Sequence, residues 1–328
     1  MLTPVQVAEF KNQGYLRGKQ VLEAAQVDEL REEMERVIRD RDRKDIPQPV
    51  LCHNFTGNDA APVWQIVNIW EASPAFARLI SHPVICEEMA QLTGATTLRI
   101  WHDQIQYKPA ATGGVNMWHQ DAPLWPILAP MTEVTAWVAL DDVDVDNGCM
   151  SMVPGSHQWG DHMKHLATWK DYVKDVPKEF QGHRVTVKTC PVKKGEVHYH
   201  HALTWHGSHA NTSGRKRRAI ALHFMTGETR YEQSGDHCMK QFVEVEDGAV
   251  MKGKHFPLVW GRGCGVAYTR RATQKRHSSE KAWTADDSRA ISPRIASNAC
   301  VQPVAARSSR ISWRSGRCMN VRPASSAK

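Results

Sequence analysis

The sequence predicts a mainly β fold, an antiparallel sandwich or jelly roll, with helices flanking it on the N-terminal side. Three observations carry this. From Thr96 onward, short β-prone runs recur between Gly, Pro and Asn turns. Before that point, apolar side chains fall three and four apart, the helical period. At 41% hydrophobic and 23% charged, the 328-residue chain can bury a sizeable core.

Taken in order, Thr3-Pro4 supplies an N-cap and a proline at the first helical position, opening a helix over 4–12 that Gly14 ends. Tyr15-Leu16 begins a brief extended piece. Over 23–42, Val27, Leu30, Met34, Val37 and Ile38 form one apolar stripe, and Pro47 and Pro49 break the chain beyond it. Residues 74–92 read as helix through Phe76, Leu79, Ile80, Met89 and Leu92, interrupted at His82-Pro83. Residues 1–95 thus read as helical packing without chemistry.

The core, 96–260, opens with a strand from Thr97 to Tyr107. A loop at Lys108-Pro109 and Gly113-Gly114 leads to a second strand carrying Trp118-His119-Gln120-Asp121. Glu133 to Leu140 is strand-like, rich in Val, Thr and Trp. Asp146-Asn147-Gly148 signals a hairpin turn before Cys149 to Val153 and the turn Pro154-Gly155-Ser156-His157. Residues 157–182 read as a polar insertion, part loop and part short helix. Val185-Thr186-Val187, Glu196 to His201 and Arg218 to Met225 supply the remaining strands.

The net charge of +7 suggests a nucleic-acid partner, but its distribution does not. Residues 261–328 hold 14 Lys and Arg against 3 Asp and Glu, leaving 28 against 32 in the rest of the chain. The charge belongs to an Arg-, Ser- and Ala-rich tail that lacks apolar periodicity and is expected to be disordered. With one Tyr and two Trp, the tail has too few aromatics for a base-stacking platform. No run approaches a membrane span of roughly 20 apolar residues, and Met1-Leu2-Thr3-Pro4 shows no secretory signal. The 8 cysteines are scattered without a CxxC pair, as expected of free thiols in a reducing cytoplasm.

Chemistry concentrates at two places. Read as a strand, His119 and Asp121 point the same way, about 7 Å apart along the backbone. A second imidazole from a distant strand completes two histidines and one acid. That set occupies one face of an octahedral ion and leaves the other open, as in non-haem Fe(II) oxygenases. The run from His198 to His209 offers five histidines. In a strand, His198 and His200 share one face and His201 the other. His206 stands apart because Gly207-Ser208, Asn211-Thr212-Ser213 and Arg217 come after it. A guanidinium grips a carboxylate through two parallel hydrogen bonds, which suits an acid cosubstrate near a metal. Asp142-x-Asp144-x-Asp146 begins like a calcium loop but has Asn147 at position 6 and Val153 at position 12, so that reading fails.

Together, His119-Gln120-Asp121, Pro154-Gly155-Ser156-His157 and His206-Gly207-Ser208 with Asn211-Thr212-Ser213 and Arg217 resemble the phytanoyl-CoA dioxygenase family. The resemblance runs from about Phe10 to Trp260. It implies a double-stranded β-helix (a cupin-like jelly roll), Fe(II), O2 and 2-oxoglutarate as cosubstrate, and hydroxylation of a small molecule with release of succinate and CO2. By the same resemblance His119, Asp121 and His206 are the iron ligands, and Arg217 with Ser208 holds the distal carboxylate of 2-oxoglutarate. Trp137, Gln104 and Gln120 are its further contacts, and Trp125 and His102 are candidates for the substrate pocket. Asp121 favours hydroxylation, since halogenating relatives lack this carboxylate. Another oxidation at the same centre, such as ring closure, epimerisation or oxidative cleavage, is the nearest alternative. A cupin-like protein that holds zinc without turnover is the alternative from another class, and the acid-gripping Arg217 and Ser208 argue against it.

Overall fold

The computed structural model describes residues 1–54, 63–262 and 304–305. Its helices are α1 (Pro4–Gln13), α2 (Ala24–Arg39), α3 (Pro74–Leu79), α4 (Pro83–Thr93) and α5 (Met163–Leu166). Its strands are β1 (Tyr15–Gln20), β2 (Leu51–Asn54), β3 (Trp64–Val67), β4 (Thr97–Lys108), β5 (Val115–His119), β6 (Leu128–Ala129), β7 (Val134–Ala139), β8 (Met150–Met152), β9 (Glu179–Phe180), β10 (His183–Arg184), β11 (Lys188–Cys190), β12 (Glu196–His201), β13 (His206–Ser208), β14 (Arg217–Thr226), β15 (Arg230–Tyr231), β16 (Leu258–Gly261) and β17 (Val304–Ala305).

Two antiparallel sheets form the double-stranded β-helix. The larger runs β1-β12-β7-β14-β4-β3-β2, with β16 also on β4, and the smaller runs β11-β8-β13-β5-β17. The chain passes from sheet to sheet: β4 in the larger, β5 in the smaller, β7 back, β8 and β11 across, then β12, β13 and β14 in alternation. The central strands of the larger sheet, β4, β7, β12 and β14, therefore pack one set of side chains on the helices and turn the other inward.

Side-chain alternation matches that division. On β14, Ile220, Leu222 and Phe224 enter the core under α1–α4, with Val27, Leu30, Met34, Phe76, Leu79, Ile85 and Met89 of the helices. Arg217, Ala221 and His223 line cavities between the sheets instead. Each fully buried aliphatic side chain of that core contributes about 1.5–3 kcal/mol. The apolar set thus attaches the helices, and the polar set is left facing the interior.

The N-terminal expectations hold closely. Thr3 and Gln6 form a capping box on α1, and Gly14 closes it in the left-handed conformation at φ 78°. The expected break at His82-Pro83 separates α3 from α4. Four expectations need correction. Residues 1–95 are not all helical, since β2 and β3 form a hairpin that extends the larger sheet beyond β4. Strand β11 lies at 188–190 rather than 185–187, because the register with Met150–Met152 is set there. The insertion at 157–182 is not simply polar: Trp159, Trp169, Tyr172 and Phe180 pack against Trp118 and Trp205 on the smaller sheet. Pairing continues past Trp260, since β16 reaches Gly261 opposite Thr97 and Arg262 N–H donates to Thr96 O. Of the tail, Val304–Ala305 pairs with β5, and its other residues from 263 onward lie outside the described residues.

Among the described residues Cys52, Cys86, Cys149, Cys190 and Cys238 form no disulfide, and no helix is long and apolar enough to cross a membrane.

Candidate active site

His119 ends β5, and directly across the ladder His206 begins β13. Their rings lie 4.1 Å apart between centroids. Asp121 reaches the same point by a different route from the expected strand. The strand stops at His119, and Asp121 adopts a helical conformation (φ −73°, ψ −51°) at the start of a single 3-10 turn over Ala122–Leu124. The N–H groups of Asp121 and Ala122 both donate to Ala202 O, which pins that turn. The turn brings the carboxylate in: Asp121 Oδ1 is 3.6 Å from His119 Nε2 and 3.6 Å from His206 Nε2.

All three groups are buried, and their protonation suits a cation. His119 Nδ1 donates to Met117 O at 2.7 Å and His206 Nδ1 to Thr204 O at 2.9 Å. Each ring is thereby set in the tautomer that leaves Nε2 a lone pair. Burial pushes both imidazoles down to about 4. Burial opposes the charge on Asp121, but the imidazoles of His206, His200 and His223 overcome it and hold the carboxyl well below its ordinary range. Buried His119 Nε2 has no hydrogen-bond partner, an orphan that a metal satisfies. Ligands at right angles around an ion with bonds of ~2.1 Å lie about 3.0 Å apart; here two edges measure 3.6 Å and all three donor atoms lie within 4.8 Å of one another. The donor set fits a facially bound, open-sided metal.

A buried guanidinium lines the cavity that adjoins the triad's, the two sharing Gln106 and Asn116. Arg217 is 1% exposed, and its Nε and Nη1 have no partner. Burial pushes the guanidinium down to about 10, which leaves it a cation at neutral pH. Its Cζ sits 5.6 Å from the centre of the Trp137 ring. Ser208 Oγ is buried and unpartnered as well. Neighbouring Arg218 faces the other way and is spent on Asp141, with two guanidinium bonds of 2.9 Å.

The cavity at the triad is lined by Gln106, Asn116, Thr135, Trp137, His200, Ser208 and His223 among others. Gln104 lines an adjoining cavity with Arg217 and Lys108. Gln120 is a correction. Its amide N–H groups donate to Gly160 O and Leu203 O, and its Oε1 accepts from His162 N. Both N–H groups and one lone pair of Oε1 are used on loop backbone, and Gln120 lines neither cavity. His102 and Trp125 meet His223 edge-on, at centroid distances of 4.6 and 4.7 Å. Asp144 of the rejected calcium stretch is paired with Arg215 and with its own turn.

Sequence reasoning passes over Gln106, which accepts the Trp137 Nε1–H at 3.1 Å, and Lys108, which donates to Ser208 O. Both are detectable, since Gln104, Gln106 and Lys108 keep the two-residue period of one strand face. Thr135, His200 and His223 carry no such signal, because the bonds that join them cross strands far apart in sequence.

A double-stranded β-helix that converges two neutral imidazoles and a carboxylate beside a buried, unpaired guanidinium defines a non-haem oxygenase using an acidic cosubstrate. Comparison with known proteins agrees. A sequence model of the phytanoyl-CoA dioxygenase family matches residues 10–219, and the chain belongs to that family. It is 24% identical to the peroxisomal phytanoyl-CoA dioxygenase of Bos taurus over 250 residues, 72% of this chain and 73% of the relative. Among solved structures it resembles the non-haem α-ketoglutarate-dependent carbocyclase SnoK from nogalamycin biosynthesis, with 27% identity and a TM-score of 0.64 over 79% of this chain and 97% of that one. It also resembles the epimerase SnoN in complex with Fe3+, α-ketoglutarate and nogalamycin RO, with 26% identity and a TM-score of 0.61 over 78% and 98%. The protein is an Fe- and 2-oxoglutarate-dependent oxygenase.

Proposed function

We propose that this oxygenase hydroxylates a small-molecule substrate, with His119, Asp121 and His206 holding Fe(II) and Arg217 with Ser208 anchoring the distal carboxylate of 2-oxoglutarate. The observation that carries this is an orphaned ligand nitrogen in one cavity and a buried guanidinium with two unpartnered nitrogens in the adjoining one, the two cavities sharing Gln106 and Asn116. A buried cation without a counter-ion is costly, and a dicarboxylate chelated at the triad would relieve it.

When bound, iron supplies the oxidation of 2-oxoglutarate and of an unactivated C–H bond by O2. The protein's own groups do the rest. Trp137 closes one wall against the guanidinium and is steadied by Gln106. Lys108 grips the carbonyls of Ser208 and His209, fixing the strand that presents Ser208 Oγ. The two Nδ1–H bonds to backbone keep both imidazoles oriented without using a proton the reaction needs.

A second outcome at the same centre is favoured by the two neighbours described as a carbocyclase and an epimerase. Product mass separates the three: hydroxylation adds an oxygen atom, ring closure removes two hydrogens and epimerisation changes nothing. The experiment is a screen of small acids, coenzyme A esters and amines for stimulated release of succinate from 2-oxoglutarate with Fe(II) and O2. A stimulated compound that gains one oxygen supports hydroxylation. Absence of succinate with iron loaded would instead indicate a protein that holds metal without turnover.

A further inference from the structure

We infer that Thr135 and His200 hold the Asp121 carboxylate in one-oxygen coordination and so keep one position at the metal open for O2. The inference rests on the ligand assignment proposed above. Asp121 Oδ1 is the oxygen directed at the two Nε2 atoms. Oδ2 meets a different pair, Thr135 Oγ1 at 3.2 Å and His200 Nε2 at 3.3 Å. These residues come from the opposite sheet. His200 on β12 faces Thr135 on β7, and Thr135 faces His223 on β14. Thr135 Oγ1 lies 2.8 Å from His223 Nδ1. Relative exposures of 0%, 2% and 2% for Thr135, His200 and His223 leave water little room to substitute for these bonds.

Proton accounting gives the row a direction. An ionised carboxylate only accepts, and a hydroxyl has a single proton. Thr135 therefore donates to Asp121 Oδ2, and its oxygen accepts the Nδ1–H of His223. His200 donates its Nε2–H to the same carboxylate oxygen. Two donors on Oδ2 occupy the lone pairs that a second metal bond would need, while Oδ1 is the oxygen turned toward His119 and His206.

The consequence comes from counting positions. An octahedral ion has six. Three protein atoms and two chelating oxygens of 2-oxoglutarate would take five, and the sixth would be left for O2. A carboxylate that swung to two-oxygen binding would take that sixth place. Removing either donor should therefore leave metal affinity intact or higher, yet close the site to a diatomic ligand.

The test uses nitric oxide as a stand-in for O2 on the anaerobic Fe(II) and 2-oxoglutarate complex, read by electron paramagnetic resonance. Fe(II) affinity is measured in parallel by titration. Thr135→Val and His200→Leu are the perturbations, while Thr135→Ser and His200→Gln each restore a donor. The expected result is a half-saturating nitric oxide concentration raised at least about tenfold in the first pair. Fe(II) affinity should be unchanged or tighter, and the restoring variants should behave as wild type. Should Thr135→Val fail to fold, the two His200 variants carry the same comparison. Equal nitric oxide binding in wild type, Thr135→Val and His200→Leu overturns the inference alone. So does a loss of Fe(II) affinity that parallels the loss of nitric oxide binding. A wild-type protein that binds no Fe(II) overturns the proposed function and this inference together.

Discussion

Arg217 offers the clearest separation of cosubstrate binding from folding. In the cosubstrate-free protein the guanidinium is buried, with Nε and Nη1 unpartnered and its affinity for a proton reduced by desolvation. Arg217→Met removes that buried charge and keeps most of the side-chain bulk. Without 2-oxoglutarate it should cost no stability, because no ion pair is broken. With 2-oxoglutarate the loss is large. Breaking a buried charge pair costs about 3–5 kcal/mol, and at about 1.4 kcal/mol per decade KM for 2-oxoglutarate rises roughly a hundredfold to several thousandfold. At saturating cosubstrate kcat is largely kept, since the contact is the same before and during the reaction. Arg218→Met should do the reverse: it breaks the pair with Asp141, lowers stability and leaves KM alone. The assays are succinate release across a 2-oxoglutarate titration, and thermal melting with and without the cosubstrate. An unchanged KM in Arg217→Met, or a melting temperature still raised by 2-oxoglutarate as in wild type, would refute the reasoning.

Three further outcomes rest on the same geometry. Free His has a pKa of about 6.5, and burial pushes His119 and His206 down to about 4. The unfolded chain therefore binds protons first as pH falls, and the metal-free protein should lose stability progressively from about pH 6.5 to 4; denaturant midpoints that stay flat across that window would contradict this. A Cβ at Gly207 would stand 2.8 Å from Asn116 O and 2.9 Å from the Tyr172 ring, so Gly207→Ala should push β13 off β5 and weaken metal binding about ten- to a hundredfold, measured by Fe(II) titration. Gln120→Ala leaves two carbonyls and one N–H without their partner and should cost about 2–4 kcal/mol in chemical denaturation, with KM for 2-oxoglutarate unchanged.

Much of the site is legible in the sequence because its signals are local. His119 and Asp121 are two residues apart, and His206, Ser208 and Arg217 fall within one strand, its loop and the next strand. The opposite placement of Arg217 and Arg218 is a consequence of strand pleat and is readable as such. What escapes depends on pairing between distant strands. His200, Thr135 and His223 form one row only because β12, β7 and β14 are neighbours in that register, which no spacing reveals. The conformation of Asp121 is hidden because a strand and a tight turn both carry it to the same side as His119. The hairpin β2–β3 is hidden too, since Trp64-Gln65-Ile66-Val67 is buried on both faces and shows no alternation. The aromatics of the insertion, at 159, 169, 172 and 180, keep no helical or strand period, so their packing on Trp118 and Trp205 has no sequence signature.

Anaerobic titration of the protein with Fe(II), and then with 2-oxoglutarate, bears most directly on the triad. One equivalent of iron should bind, and addition of 2-oxoglutarate should produce the visible charge-transfer band of the chelate. His206→Ala and Asp121→Ala should abolish the band, and Arg217→Met should shift its appearance to far higher cosubstrate concentration. A band that survives loss of either ligand, or wild-type protein that takes up no iron, would contradict the account.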